Sequence, residues 1–103
     1  MLFRSTDVRR IAAAIEDAGA DALSAVNTLS GMAMASDRRG PFLGNTYGGL
    51  SGPALKPVAL RVVYEVAQTV SIPIVAIGGV SGLDDVLDFL AAGASAEIGR
   101  AHV

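Results

Sequence analysis

The run Ile72-Pro73-Ile74-Val75-Ala76-Ile77 is apolar throughout, rich in β-branched side chains and closed by Gly78-Gly79, and it narrows the fold more than any other feature. A strand apolar at consecutive positions is buried on both faces, which is the condition of parallel strands lying beneath helices. Pro73 is tolerated because a missing N–H near a strand's beginning breaks no central ladder. On either side the hydrophobic period changes from strand-like to helical. Before the run, Ala59, Val62, Val63, Val66 and Ala67 form one stripe, with Arg61 and Glu65 on the wet side and Pro57 suited to a helix's first turn. After it, Ser81 with Asp84 reads as a capping-box-like start for a helix whose Leu83, Val86, Leu87 and Leu90 face inward and which Gly93 ends.

The same grammar extends to both ends. Val8, Ile11, Ala12, Ile15 and Ala18 recur at helical spacing, with Ser5 or Thr6 available as a cap and Gly19 as a terminator. A short, mostly buried strand follows at Ala22 to Val26, and Ser95 to Ile98 is the last strand. The joints Ala18-Gly19-Ala20-Asp21-Ala22 and Ala92-Gly93-Ala94-Ser95-Ala96 echo each other, each carrying a helix through glycine into a strand. Between the first strand and the second helix, residues 31–52 are rich in glycine and carry the charged knot Asp37-Arg38-Arg39, which predicts a long functional loop. The order helix, strand, long loop, helix, strand, helix, strand implies an α/β fold with parallel strands and right-handed crossovers.

Composition excludes several function classes. A net charge of -2 without a basic stripe gives no electrostatic case for nucleic acid. The absence of Cys removes disulfides, thiolate metal sites and any thiol nucleophile. No stretch has the apolar length of a membrane span and no signal-like segment is evident, so a cytoplasmic location is expected. Met1 to Ser5 reads differently from the remainder of the chain and is expected to be a non-native leader on a single partial domain covering residues 1–103.

In parallel α/β folds ligands gather at the carboxyl ends of strands. Those ends are Asn27-Thr28, Gly78-Gly79 and Gly99-Arg100. An amide and a hydroxyl can fix a polar ligand, and glycines let backbone N–H groups approach a phosphate beside a helix N-terminus. Each has a plainer reading as well: Asn and Thr serve turns, Gly78-Gly79 suits an ordinary strand-to-helix turn, and Gly99-Arg100 suits a strand end. Tyr47 and Asp84-Asp85 read as packing and helix-start residues, and His102 as a solvated side chain.

Taken together, Ala25-Val26-Asn27-Thr28-Leu29-Ser30-Gly31-Met32, the stretch from Gly48 to Arg61 (Gly-Gly-Leu-Ser-Gly-Pro-Ala-Leu-Lys-Pro-Val-Ala-Leu-Arg) and Ile72 to Val80 closely resemble the C-terminal third of dihydroorotate dehydrogenases. The likeness runs from about Thr6 to Ala101, and the loop between Asn27 and Gly48 looks most like the NAD-linked class. The resemblance implies the C-terminal part of an FMN-binding (β/α)8 TIM barrel, about three βα units, belonging to an enzyme that oxidises dihydroorotate to orotate in pyrimidine synthesis. It implies that Asn27 and Thr28 bind the pyrimidine, that Val26 and Gly52 lie against the flavin, and that Gly78, Gly79, Gly99 and Arg100 hold the FMN phosphate. It also implies a homo-oligomer and a partner subunit carrying FAD and an iron–sulfur cluster. The family's catalytic base, a Cys or Ser, and its flavin-neutralising lysines match no position here. Glu97 stands where the family usually has an apolar or amide side chain, and Arg100 where it has a smaller polar one. Because an unpaired charge inside a barrel is costly, Glu97 is expected to point outward or to displace its strand. Dihydropyrimidine dehydrogenase, whose FMN barrel shares the Asn-Thr and Gly-Gly turns, is the neighbouring resemblance. A non-catalytic half-barrel that associates through its open edges is the reading from another class.

Overall fold

The computed structural model describes residues 8–99, and the expected caps at Ser5 and Thr6, together with Arg100 and His102, lie outside them. The elements are α1 (Val8–Asp17), β1 (Leu23–Ala25), β2 (Leu29–Met32), β3 (Tyr47–Leu50), α2 (Lys56–Thr69), β4 (Ile74–Ile77), α3 (Leu83–Ala92) and β5 (Ala96–Ile98), with a short 3-10 turn over Pro53–Leu55. β1, β4 and β5 form one sheet in the order β1-β4-β5, and both pairings are parallel. This is the expected α/β succession of parallel strands with crossovers.

Register decides which side chains are buried. Ala25 stands opposite Ala76, and Leu23 opposite Ile74, all four buried against the helices. The alternate positions, Ser24, Val75, Ile77, Ala96 and Ile98, point to the other face. Ile98 is 55% exposed there. On the helix side, Ala59, Val62, Val63 and Val66 of α2 supply the middle of the core, as their spacing predicts. α1 is tied to the rest by Glu16, whose carboxylate accepts bonds from the backbone N–H of Ser71 (2.6 Å) and Ile72 (3.2 Å).

Two expectations need correction. The segment expected to be a long loop contains an antiparallel hairpin, β2 with β3, pairing Leu29 with Leu50 and Met32 with Tyr47. Glycines dilute the alternation that would announce these strands, so pattern alone does not find them. In α3 the predicted inward stripe is not the buried one: Leu83, Leu87 and Leu90 are exposed, and Phe89 is wholly buried. A helix in a βα unit is oriented by its closest neighbours, and α3 is held by Gly93, where an added Cβ would collide with the Cβ of Ala67 in α2. That contact turns Phe89 and Ala92 toward the core and leaves Leu83, Leu87 and Leu90 exposed.

Candidate functional site at the carboxyl ends of the strands

The carboxyl ends of β4 and β5 and the turn ahead of α2 enclose a cleft of about 410 Å³ lined by Ser51, Gly52, Pro53, Ile77, Gly78, Gly79, Val80, Ser81, Ile98 and Gly99. Its floor is fixed by close backbone packing. Gly79 has φ +73, and a Cβ there would lie 2.6 Å from the Lys56 backbone nitrogen. A Cβ on Gly78 would meet Leu55 Cδ2 at 3.0 Å and Val26 Cγ2 at 3.4 Å. Gly52, Gly78, Gly79 and Gly99, separated widely in sequence, are thus brought to one place, whereas Val26 packs behind Gly78 and does not line the cleft. A cleft lined by glycine backbone beside the N-terminus of α3 has the character of an anion site, since glycines leave their N–H groups uncovered by side chains.

Asn27 and Thr28 lie in a neighbouring, shallower recess of about 320 Å³ with Ser30, Tyr47, Gly48 and Gly49. The Asn27 carboxamide oxygen accepts from the Thr28 N–H at 2.7 Å, and the Thr28 hydroxyl packs on Gly49 of the hairpin. Tyr47, expected as a packing residue, is 64% exposed and forms part of this recess.

Polar residues behind the cleft complete the local structure. Asp85, rather than the expected Asp84, makes the helix-start contact: its Oδ2 accepts from the Ser81 N–H (2.8 Å) and the Ser81 hydroxyl (3.0 Å). Its Oδ1 takes the Lys56 ammonium at 2.6 Å, and Lys56 also reaches Asp88 at 2.7 Å. The hydrogen bond from Lys56, aided by those from Ser81, holds the Asp85 carboxyl well below the usual carboxylate range. Hydrogen bonds to the same two aspartates raise the Lys56 pKa. Sequence reading missed Lys56, although its place within the Leu-Lys-Pro motif just ahead of a helix is unusual: a cation at a helix N-terminus opposes the dipole and calls for nearby carboxylates.

Glu97 points away from the barrel side of the sheet, the first of the two expected outcomes. It is registered with the buried Ala76, so its side chain enters the layer between sheet and helices, and both carboxylate oxygens are shielded without a hydrogen-bond partner among the described residues. Desolvation, reinforced by the nearby Asp85 charge, pushes its pKa up to about 7. The unfolded chain loses this proton near pH 4.5 while the folded chain keeps it, so Glu97 makes stability fall as pH rises from about 4.5 to about 7. Glu97→Val is expected to remove that slope in thermal melts across this range and to stabilise the chain at neutral pH by about 1–3 kcal/mol, the usual cost of an unsatisfied buried polar group. An unchanged slope would show that the carboxylate finds a partner.

Parallel strands under helices, with a backbone-lined cleft at their carboxyl ends, define a segment of a (β/α)8 barrel. The family model for dihydroorotate dehydrogenase matches residues 4–102, and the chain belongs to the dihydroorotate dehydrogenase family. Its relatives include the "dihydroorotate dehydrogenase B (NAD(+)), catalytic subunit" of Trichlorobacter lovleyi, 55% identical over 97 residues that cover 93% of this chain and 32% of the relative. The protein of the same name from Halalkalibacterium halodurans is 56% identical over 91 residues, 88% of this chain and 30% of the relative. Among solved structures, DHODH from Eimeria tenella in complex with ferulenol superposes with a TM-score of 0.72 at 28% identity, over 92% of this chain and 25% of that one. The chain therefore spans about a third of the length of the curated relatives it matches.

Proposed function

We propose that this chain supplies the phosphate-binding and part of the substrate-binding wall of an FMN-dependent dihydroorotate dehydrogenase, the enzyme that forms orotate for pyrimidine nucleotides. The convergence of Gly52, Gly78, Gly79 and Gly99 on one cleft at the strand ends carries this reading. A cradle in which a Cβ would strike backbone suits the phosphate of FMN, and Arg100 follows Gly99 directly in sequence with a fixed positive charge. Val26, packed beside Gly78, would lie against the flavin ring with Gly52. Asn27 and Thr28 would offer paired donors and acceptors to the pyrimidine from the adjoining recess. When bound, the flavin accepts hydride from the substrate; the residues of this chain bind and orient, and none of them is assigned the proton-abstracting role. Full turnover then depends on a base and on cationic side chains from further βα units, and reoxidation on a partner subunit with FAD and an iron–sulfur cluster. A cytoplasmic homo-oligomer fits this role.

The purified chain is expected neither to oxidise dihydroorotate nor to form a tight stoichiometric complex with FMN; measurable turnover would overturn that expectation. The functional assignment itself is tested by grafting residues 8–99 in place of the matching segment of a full-length relative. Retained flavin and dihydroorotate turnover, with loss of turnover but not of flavin in Asn27→Ala, supports it. A graft active on uracil-type rings and inactive on dihydroorotate would place the segment with dihydropyrimidine dehydrogenases instead. The exposed Met32, Met34, Phe42 and Leu50 of the hairpin region favour a second reading, association through this surface, which concentration-dependent dimerisation without flavin would support.

A further inference from the structure

Lys56 stands behind the glycine cleft, absent from its lining, yet its contacts lead to the Gly78 to Ser81 turn. Its backbone packs under Gly79, where an added Cβ would lie 2.6 Å from its nitrogen and 2.7 Å from its Cα. Its ammonium holds one oxygen of Asp85 at 2.6 Å while the other oxygen of Asp85 accepts from the Ser81 N–H at 2.8 Å and the Ser81 hydroxyl at 3.0 Å. Backbone and side chain of one residue thus grip the two ends of the same turn.

The grip bears on the cleft through Asp85. The first turn of α3 carries Asp84 and Asp85, and Asp88 lies one turn further on; none of the three lines the cleft, but Asp85 holds Ser81, which does. Without Lys56, Asp85 would be held in this orientation by Ser81 alone, and the turn would lose its tie to α2. Lys56 orients Asp85, and Asp85 holds the Ser81 N–H, while Gly79 and Val80 just ahead of Ser81 line the cleft.

We infer that Lys56 and Asp85 form a positioning pair that shapes the Gly78 to Ser81 turn for a phosphate-bearing ligand, without touching that ligand. The inference rests on the reading of the cleft as a phosphate site and adds the device that holds its turn in shape. Preorganisation of this kind acts through affinity, because a turn that must be ordered on binding binds more weakly.

The test is proton–nitrogen NMR of the whole chain, with FMN and, separately, inorganic phosphate titrated to millimolar concentrations. In the unaltered chain both titrants are expected to move the Gly79 and Val80 amide signals. Lys56→Met is expected to shift the Ser81 amide before any ligand is added and to weaken both titrations on the order of fivefold. Lys56→Arg, which keeps the charge and the carboxylate contact, is expected to restore both. Asp85→Asn, which keeps the shape, provides a second variant should Lys56→Met unfold, and its loss is expected to be similar. A ligand-free Ser81 amide unmoved by Lys56→Met, or titrations unchanged in Asp85→Asn, would overturn the inference. Loss in Lys56→Arg equal to that in Lys56→Met would overturn it too, since a charge-independent effect is mere packing. An unaltered chain in which neither titrant moves Gly79 or Val80 would overturn the phosphate reading, and the ligand-free Ser81 amide would still decide whether the pair shapes the turn.

Discussion

Replacing Gly79 with alanine is expected to destabilise the chain by about 3 kcal/mol or more and to abolish the response of the cleft to phosphate. Two costs add. At φ +73 an L side chain is strained by about 1–3 kcal/mol. The new methyl would also lie 2.6 Å from the Lys56 nitrogen and 2.7 Å from its Cα, and backbone atoms at a helix start cannot move aside as a flexible side chain can. Relief would require α2 to separate from the turn, which opens the cleft floor. Denaturant unfolding with phosphate titration on the same sample checks both effects. An alanine variant of near-native stability would mean that the turn relaxes easily and is no rigid cradle.

Phe89→Ala is expected to cost about 3–5 kcal/mol, as is usual for removing a large aromatic side chain from a packed interior. Phe89 is 0% exposed and is the largest of the fully buried side chains. It joins α3 to Val63 and Val66 of α2 and to the inner strand in one core cluster. By contrast, Leu87→Ala on the same helix is expected to change stability by less than about 1 kcal/mol, because Leu87 is 52% exposed. Urea unfolding of the two variants measures the difference directly; equal losses would mean that α3 is rotated from the orientation described.

The outcome at α3 shows what a sequence pattern does and does not determine. Leu83, Val86, Leu87 and Leu90 form a fine apolar stripe, yet the helix turns Phe89 to the core. The deciding contact, Gly93 against Ala67, joins residues of different helices and has no local signature. The correct signal was present in weaker form, since Val86, Phe89 and Ala92 share helical spacing and Gly93 follows at once. Strands and αβ joints were legible because their cause is local: Ile74 to Ile77 is apolar at every position, and Gly19 and Gly93 both terminate helices with positive φ. The hairpin escaped because Leu-Ser-Gly-Met and Tyr-Gly-Gly-Leu have little strand character before they pair.

The candidate site divides in the same way. Glycines at strand ends announced the cleft, since only backbone can line so close an approach. Whether Asn27-Thr28 would share that cleft was not readable, and the structure sets them in an adjoining recess. Lys56 and Asp85 were hidden because their partnership spans two helices, and Asp84 looked equally suited to the helix start. Cost alone left Glu97 either pointing outward or displacing its strand, and the register with Ala76 decides for the first.

The pairing of Leu23 with Ile74 also sets an order in time. Glu16 and the Ser71 amide it holds are 55 residues apart, and contacts so distant along the chain form only after a large loss of loop entropy. The hairpin and the β4-α3-β5 unit need no such closure, so β1 and α1 are expected to dock after them. The rate of refolding should therefore follow the docking of α1 and β1, and substitutions at Leu23 or Ala12 should slow it while leaving the early phases untouched.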